Sequence, residues 1–236
     1  MIDIRALASG SSGNCYYIAD GSTSLLLECG ISIADIRRGL DYQLSNIEGC
    51  LITHEHKDHA RVVEDIMKAG IDCYMSSGTK DALGLSSHRA ITVKPCQVFN
   101  IGTWRIIPFD VYHDSKEPLG FLLISSVNKV LFLTDTGSIP PLPTQGLTHI
   151  LIESNYSPEI IEQNVQDGLI PLSTKRRIES SHLSINQTVE FFKSINLDSI
   201  EEIWLIHLSN DNSNESMFKR AVQAATAKPV FVAPVR

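Results

Sequence analysis

Apolar stretches and turn residues alternate over the first thirty positions at the spacing of short strands. The apolar stretches at 2–7, 15–19 and 24–28 are separated by the turn Ser9–Asn14 and by the Asp20-Gly21 pair. Strand-length apolar runs bounded by glycine, serine and aspartate are typical of a β-meander. We therefore expect three consecutive strands at the start of the chain.

Beyond this meander, short apolar strands alternate with helical stretches. Two helix starts carry capping signals. In Ser157-Pro158-Glu159, an N-cap serine is followed by a proline at the first helical position and then by an acidic residue. Ser184–Gln187 fits a capping box. The predicted helices cover 60–69, 79–85, 188–195 and 215–227, with a further one starting at Ser157. The predicted strands cover 49–52, 71–75, 104–111, 119–125, 129–133, 149–153, 202–206 and 229–232.

This order of elements predicts a mixed α/β (α+β) fold. Strands come first in each half and helices follow, with few clean β-α-β crossovers at the start, which favours two mostly antiparallel sheets packed face to face with helices outside. The two halves are expected to be similar. No linker or repeat interrupts the chain, so we expect a single domain over 1–236.

Composition narrows the class of protein. Twenty basic against 27 acidic residues give a net charge of −7, which argues against binding nucleic acid by bulk charge.

No signal peptide and no run of 18 apolar residues is visible, so a cytoplasmic protein without a membrane partner is expected. The five cysteines are odd in number and lack a C-x-x-C pair, which favours buried free thiols without a disulfide partner. No pattern specifies an oligomeric state.

The strongest chemical signal lies between the predicted strand at 49–52 and the next helix. Three of the eight histidines fall within six positions, in the segment Thr53-His54-Glu55-His56-Lys57-Asp58-His59. His54 and His56 are two apart, so in an extended chain their side chains project to the same side. Asp58 and His59 stand where a helix begins. Four such groups on one strand–helix turn predict metal binding more strongly than a solvated polar loop.

Candidates for further metal ligands come just after three apolar strands. His113 follows 106–112, Asp135 follows 130–134, and His207 follows 203–206. Taken singly, each could be structural. A structural role does not explain why three strands deliver a His, an Asp and a His just past their ends.

The pattern His54-x-His56-x-Asp58-His59, followed by His113, Asp135 and His207, resembles the five-motif signature of the metallo-β-lactamase superfamily in order and spacing. The resemblance covers essentially the whole chain. Five further segments narrow it to the YycJ-like branch of bacterial DNA exonucleases, with ribonuclease Z more distant: Ser9–Asn14, Asp114–Gly120, Phe132–Gly137, His182–Ser184 and Leu205–Ser209. It implies a four-layer αβ/βα sandwich of two mixed β-sheets with helices on the outer faces.

The resemblance also implies two divalent metal ions. One would bind His54, His56 and His113, a second would bind Asp58, His59 and His207, and Asp135 would bridge them. Five imidazoles and two carboxylates suit Zn²⁺ best, with Mn²⁺ or Fe²⁺ also open. One departure concerns Glu28, because the family ordinarily has an aspartate there to support the metal loop. A longer side chain could loosen metal binding.

Three features bear on the substrate. Lys175-Arg176-Arg177 is the densest basic run and could clamp phosphate, although such a run is often only a solvated face. His182 precedes a helix, and the resemblance to ribonuclease Z implies that it protonates the leaving oxygen with support from Glu153; a plain helix-capping histidine is the alternative. The turn with Ser11 and Asn14 could bind an anion, or it could be a simple tight turn.

These features favour a dinuclear-metal phosphodiesterase, and a DNA exonuclease above all. A metal-bridging hydroxide would attack phosphorus, with Asp58 helping to orient it. The alternative is a small-molecule hydrolase of a cyclic phosphodiester, lactone or thioester on the same scaffold. A degenerate scaffold that only binds nucleic acid or a protein is disfavoured, because all seven ligand positions are filled.

Overall fold

The computed structural model describes residues 2–234 and divides them into two compact units. Unit 1 comprises 2–110 and 115–128, and unit 2 comprises 111–114 and 129–234. The expectation of a single metallo-hydrolase domain over 1–236 stays a prediction.

Unit 1 is a mixed α/β unit whose described residues form nine strands, four short helices and a 3-10 turn at Leu44–Asn46. Its strands are β1 (Asp3–Ala8), β2 (Cys15–Ala19), β3 (Ser24–Leu27), β4 (Ile47–Leu51), β5 (Cys73–Met75), β6 (Ala90–Thr92), β7 (Phe99–Ile101), β8 (Trp104–Asp110) and β9 (Leu119–Ile124). Its helices are α1 (Ile33–Gly39), α2 (Lys57–Ala60), α3 (Val63–Lys68) and α4 (Ser77–Ala82).

Strands β1 to β6 form one sheet in sequence order. The predicted meander is confirmed, because β1, β2 and β3 pair antiparallel. From β3 to β6 every pairing is parallel, with Leu27 beside Leu51 and Cys50 beside Cys73. Strands β7, β8 and β9 pair antiparallel with one another. The parallel part of the sheet ends at Leu27 and Leu51, just before the residues of chemical interest.

Unit 2 is built on a parallel sheet. Its described strands are β10 (Lys129–Leu133), β11 (His149–Glu153), β12 (Glu202–Ile206) and β13 (Val230–Val232), and its helices are α5 (Pro158–Gln166), α6 (Leu172–Ser181), α7 (Ile185–Ser194) and α8 (Glu215–Thr226). All pairings from β10 to β13 are parallel. Every residue of β11 is buried, as expected for a central strand covered on both faces. The carboxyl ends of β10, β11 and β12 therefore lie along one edge of this sheet.

The expectation of mostly antiparallel sheets is wrong. Parallel neighbours need a crossover connection, and helices provide it between β3 and β4, β4 and β5, β5 and β6, β11 and β12, and β12 and β13. The seven-residue helix α1 is short and was not predicted, so the first crossover was missed. The ten-residue helix α6 was missed as well.

Locally signalled elements are confirmed. Ser157 caps α5, with Pro158 at its first position, and Ser184 and Gln187 form the capping box of α7. The helix predicted at 60–69 is instead two short helices, α2 and α3, separated by residues 61–62. The first of them begins at Lys57, three residues earlier than predicted. Across residues 2–234, no helix has the length and apolar character needed to span a bilayer.

Candidate metal centre

In unit 1 the three histidines of the predicted motif converge on one another. The chain leaves β4 at Leu51, bends at Glu55 and is extended again at His56, the residue before α2. The His54 ring lies 4.6 Å from the His56 ring and 4.2 Å from the His59 ring, measured between centroids. Nε2 of His54 is 3.0 Å from Nδ1 of His56. The structure thus brings the imidazoles together as the spacing predicts.

Asp58 joins the same cluster from the first turn of α2. Its Oδ2 lies 3.4 Å from Nε2 of His59, and its side chain is only partly buried. The segment therefore offers three imidazoles and one carboxylate within a few ångströms. This donor set fits a borderline metal ion such as Zn²⁺.

Glu28 supports this segment from the end of β3, the role that the resemblance implies for an aspartate at this position. It is fully buried, and its carboxylate accepts the Thr53 backbone N–H and lies 3.4 Å from Nδ1 of His59. Burial raises the pKa of Glu28, and the nearby His59 offsets part of that shift. Glu28 adopts the left-handed region at φ 66°. The longer side chain therefore reaches both the start and the end of the motif.

Asn14 requires a correction. We expected it to contact substrate, but it is fully buried. Its Nδ2 donates to the carbonyl oxygens of Gly10 and Asp58 and lies 3.3 Å from Nε2 of His59. These contacts position the metal-binding segment and leave the amide no access to a substrate. Ser11 is exposed on the same turn, and its predicted contact with substrate stays a prediction.

Gly30 gives the tightest test of this packing. A Cβ atom built on Gly30 would lie 1.7 Å from the carbonyl oxygen of Asp58. We expect Gly30→Ala to lower the free energy of unfolding by about 3 kcal/mol, because the backbone must move to accept the methyl group. Urea unfolding of the metal-free protein measures the change.

The matched control is Gly39→Ala at the end of α1. There the new Cβ would approach only the flexible end of the Leu7 side chain, at 2.8 Å. We expect Gly39→Ala to change the free energy of unfolding far less than Gly30→Ala does. Equal unfolding midpoints for the two variants would contradict the proposed close approach.

In unit 2 the cluster is organised around the Glu153 carboxylate, which is fully buried at the end of β11. Its oxygens pair with Nδ1 of His182 at 2.6 Å and accept the backbone N–H groups of Leu183 and Thr136. Nδ1 of His207 lies 3.3 Å away. One ligand atom from each of four residues lies within 4.8 Å of the others: Asp135, Glu153, His182 and His207.

The expected strand-end residues are found in place. Asp135 follows β10 and His207 follows β12, and both adopt left-handed backbone, at φ 47° and 54°. The Asp135 carboxylate lies 3.5 Å from Nε2 of His113 and 3.5 Å from Nδ1 of His207. Within unit 2 the structure therefore brings together all three candidate ligands that it contains.

Charge on the His182–Glu153 pair follows from its surroundings. Burial lowers the pKa of His182, but the Glu153 carboxylate raises it by more, so the net pKa lies above the ordinary value. Burial raises the pKa of Glu153, and His182 reverses this shift. The pair therefore favours an imidazolium against a carboxylate. By contrast, burial lowers the pKa of His113 despite the neighbouring Asp135.

The basic run lies on α6, and its members differ. The Lys175 ammonium pairs with the carboxylate of Glu162 and lies 3.7 Å from that of Glu179. We expected Lys175 to be available to phosphate, and these carboxylates neutralise it instead. Arg176 and Arg177 are exposed, and Arg177 lies 4.0 Å from Asp114. Their predicted contact with phosphate stays a prediction.

The cysteines differ from expectation at one position. Four are buried, as predicted: Cys15, Cys29, Cys50 and Cys73. Cys96 is exposed and follows a proline in a loop at φ 62°. The expectation of buried thiols is therefore wrong for Cys96, because no strand or helix carries it into the core.

Comparison with known proteins places the chain in a family. Residues 23–208 match the family described as the β-lactamase superfamily domain. The chain belongs to this family. Exodeoxyribonuclease YycJ of Bacillus anthracis is 26% identical over 244 residues, covering 98% of this chain and 91% of that protein. The metallo-β-lactamase resemblance seen in the sequence is confirmed.

Two solved structures show the same fold. The metallo-β-lactamase fold protein YhfI from Bacillus subtilis matches with a TM-score of 0.77 at 16% identity, over 99% of this chain and 97% of that one. Zn²⁺-bound PqqB from Methylobacterium extorquens matches with a TM-score of 0.76 at 14% identity, over 100% and 98%. The predicted fold class of two mixed sheets flanked by helices is confirmed. The chain is a metal-dependent hydrolase of this superfamily, and its His and Asp clusters fit divalent metal ions.

Proposed function

We propose that this protein is a dinuclear-metal phosphodiesterase that removes nucleotides from an end of DNA in the cytoplasm. The observation that carries the proposal is the hydrogen bond between buried Glu153 and Nδ1 of His182. Phosphodiester cleavage releases an alkoxide that must take up a proton. An imidazole held by a carboxylate can donate that proton. The name of the Bacillus anthracis relative supports DNA as the substrate.

The proposed ligands follow the family pattern. His54, His56 and His113 would hold one ion, and Asp58, His59 and His207 the other, with Asp135 shared; all seven supply the nitrogen and oxygen donors that Zn²⁺ accepts. When bound, two such ions lower the pKa of a water molecule and stabilise charge on phosphate oxygens. Zn²⁺ is proposed first, with Mn²⁺ and Fe²⁺ as alternatives.

The chain's own residues have separate roles in this proposal. His182 holds the proton that the leaving oxygen takes, and Glu153 keeps its ring oriented through Nδ1. Asp58, partly exposed on α2, helps to orient the attacking water. Arg176 and Arg177 are exposed cations that can contact phosphates flanking the cleaved bond.

One observation favours a smaller substrate. Lys175 is neutralised by carboxylates, so the basic run offers fewer free charges than its sequence suggests. Affinity for long nucleic acid rises with the number of phosphates that the protein neutralises. A cyclic phosphodiester, lactone or thioester is therefore the second candidate substrate class.

A substrate panel tests the proposal. We expect the Mn²⁺- or Zn²⁺-loaded protein to release nucleotides from a 5′-labelled oligonucleotide, and to stop when a chelator removes the metal. The rate on bis(4-nitrophenyl) phosphate should exceed the rate on a lactone or a β-lactam, because only the phosphodiester presents anionic phosphate oxygens to the exposed Arg176 and Arg177.

Metal content decides how a negative result is read. A preparation with two metal ions per chain that leaves DNA intact would contradict the nuclease assignment. If that preparation opens a lactone, the second candidate replaces the first.

A further inference from the structure

His207 has a backbone conformation that needs support. It comes directly after β12 and adopts φ 54°, in the left-handed region. Residues other than glycine enter this region rarely, and surrounding contacts must hold them there. The contacts that hold His207 therefore also set the direction of its imidazole.

Asn155 supplies such contacts. It lies two residues beyond the end of β11, and the parallel register places Glu153 beside Ile206. Its Nδ2 donates to the carbonyl oxygen of His207 at 2.9 Å and lies 3.2 Å from Nδ1 of the same residue. The bond to the carbonyl oxygen fixes the His207 backbone, and the amide packs against the side of the imidazole.

Asn155 is itself fixed on two sides. Its backbone N–H donates to the carbonyl oxygen of Leu183, and its carbonyl oxygen accepts the N–H of Ser209. It is only 6% exposed. These bonds fix the position of the Asn155 side-chain amide, so the amide can hold His207 in a defined position.

We infer that Asn155 is a positioning residue for the metal centre, acting through His207. Its amide stabilises the left-handed backbone of His207 and restrains the ring, which presets a ligand before metal binds. Partners that orient a ligating histidine commonly change metal affinity by about 10–100-fold. The inference rests on the proposed role of His207 as a ligand.

The test is Co²⁺ binding to the full-length protein, followed by the visible absorption of the bound ion. Asn155→Asp keeps the side-chain shape but removes the N–H donors. We expect Co²⁺ affinity to fall by about 10–100-fold and the absorption spectrum to change, because the His207 ligand is no longer held in place. An unchanged affinity and spectrum would overturn the inference.

Asn164 on α5 offers a matched control, because its amide contacts the loop that follows His207. Its Nδ2 donates to the carbonyl oxygen of Asp211 at 2.9 Å, the same kind of bond at the same length. Asn164→Asp should leave Co²⁺ affinity and spectrum unchanged. If both variants weaken Co²⁺ binding equally, the effect of Asn155 is a general loosening of the loop and the inference fails.

A third variant separates this inference from the proposed function. His207→Ala should weaken Co²⁺ binding more than Asn155→Asp does. If His207→Ala binds Co²⁺ as the unaltered protein does, the ligand assignment fails and the positioning role fails with it. If only His207→Ala weakens binding, the positioning role alone is overturned. Asn155→Leu, which has a similar branched shape and no donor, gives the same comparison without an added charge should Asn155→Asp fail to fold.

Discussion

Asp135→Asn is expected to lower phosphodiesterase activity by about 10³-fold or more, because it removes the charge of the proposed shared ligand. The Asp135 carboxylate is almost fully buried and lies 3.5 Å from a ring nitrogen of each of two histidines, His113 and His207. An amide of the same shape removes one anionic neighbour from each of these imidazoles. Elemental analysis should show fewer than two metal ions per chain, and the rate on an oligonucleotide measures the loss.

The control for Asp135→Asn is Asp167→Asn. Asp167 lies at the end of α5, where its carboxylate accepts a hydrogen bond from Gln163 on the same helix. We expect full activity and full metal content in that variant. If the Asp135→Asn protein keeps full activity and full metal content, Asp135 is not a metal ligand. The assignment of a shared ligand would then be wrong.

The helix starts could be predicted because their signals are local. Ser157 and Pro158, and likewise Ser184 and Gln187, lie within four positions of each other. The capping hydrogen bonds of the two serines stay within the first turn of each helix. The same holds for strand positions at the metal centre, since Asp135 and His207 follow clear apolar runs. Residue type and spacing alone therefore located these candidates.

What the sequence could not predict depends on partners far along the chain. Lys175 is neutralised by Glu162, thirteen positions earlier and on another helix. Asn14 is buried because its amide reaches Asp58, 44 positions later. Contacts between residues so far apart in the chain leave no periodic pattern in the sequence. The run of three cations and the glycine-rich turn therefore predicted more substrate contact than these side chains allow.

Backbone strain at the centre was equally invisible. Glu28, Asp135 and His207 all adopt left-handed backbone, a region that residues other than glycine enter rarely. Asn155 was missed for a related reason, since it binds a backbone carbonyl rather than a motif residue of matching type. The one available signal was its place two residues after Glu153, beyond the end of a buried strand.

His182→Ala is expected to slow DNA cleavage by about 10²–10⁴-fold, the usual contribution of a general acid. The same variant should lose less than about tenfold on bis(4-nitrophenyl) phosphate, because nitrophenolate leaves without being protonated. Nδ1 of His182 is held by Glu153, so Glu153→Gln should show the same preference with a smaller loss on DNA. Rates are measured on both substrates with metal-loaded protein. The ratio of the loss on DNA to the loss on bis(4-nitrophenyl) phosphate is the quantity to compare.

The ratio distinguishes a proton donor from a structural histidine. A residue that only shapes the site, or only supports the metals, affects both substrates alike, because both need the same metal centre. Equal losses on DNA and on the aryl ester would therefore contradict the general-acid role. His88→Ala is the matched control, since His88 is exposed in the loop between α4 and β6, and neither rate should change. A loss confined to DNA would identify His182 as the group that protonates the leaving oxygen.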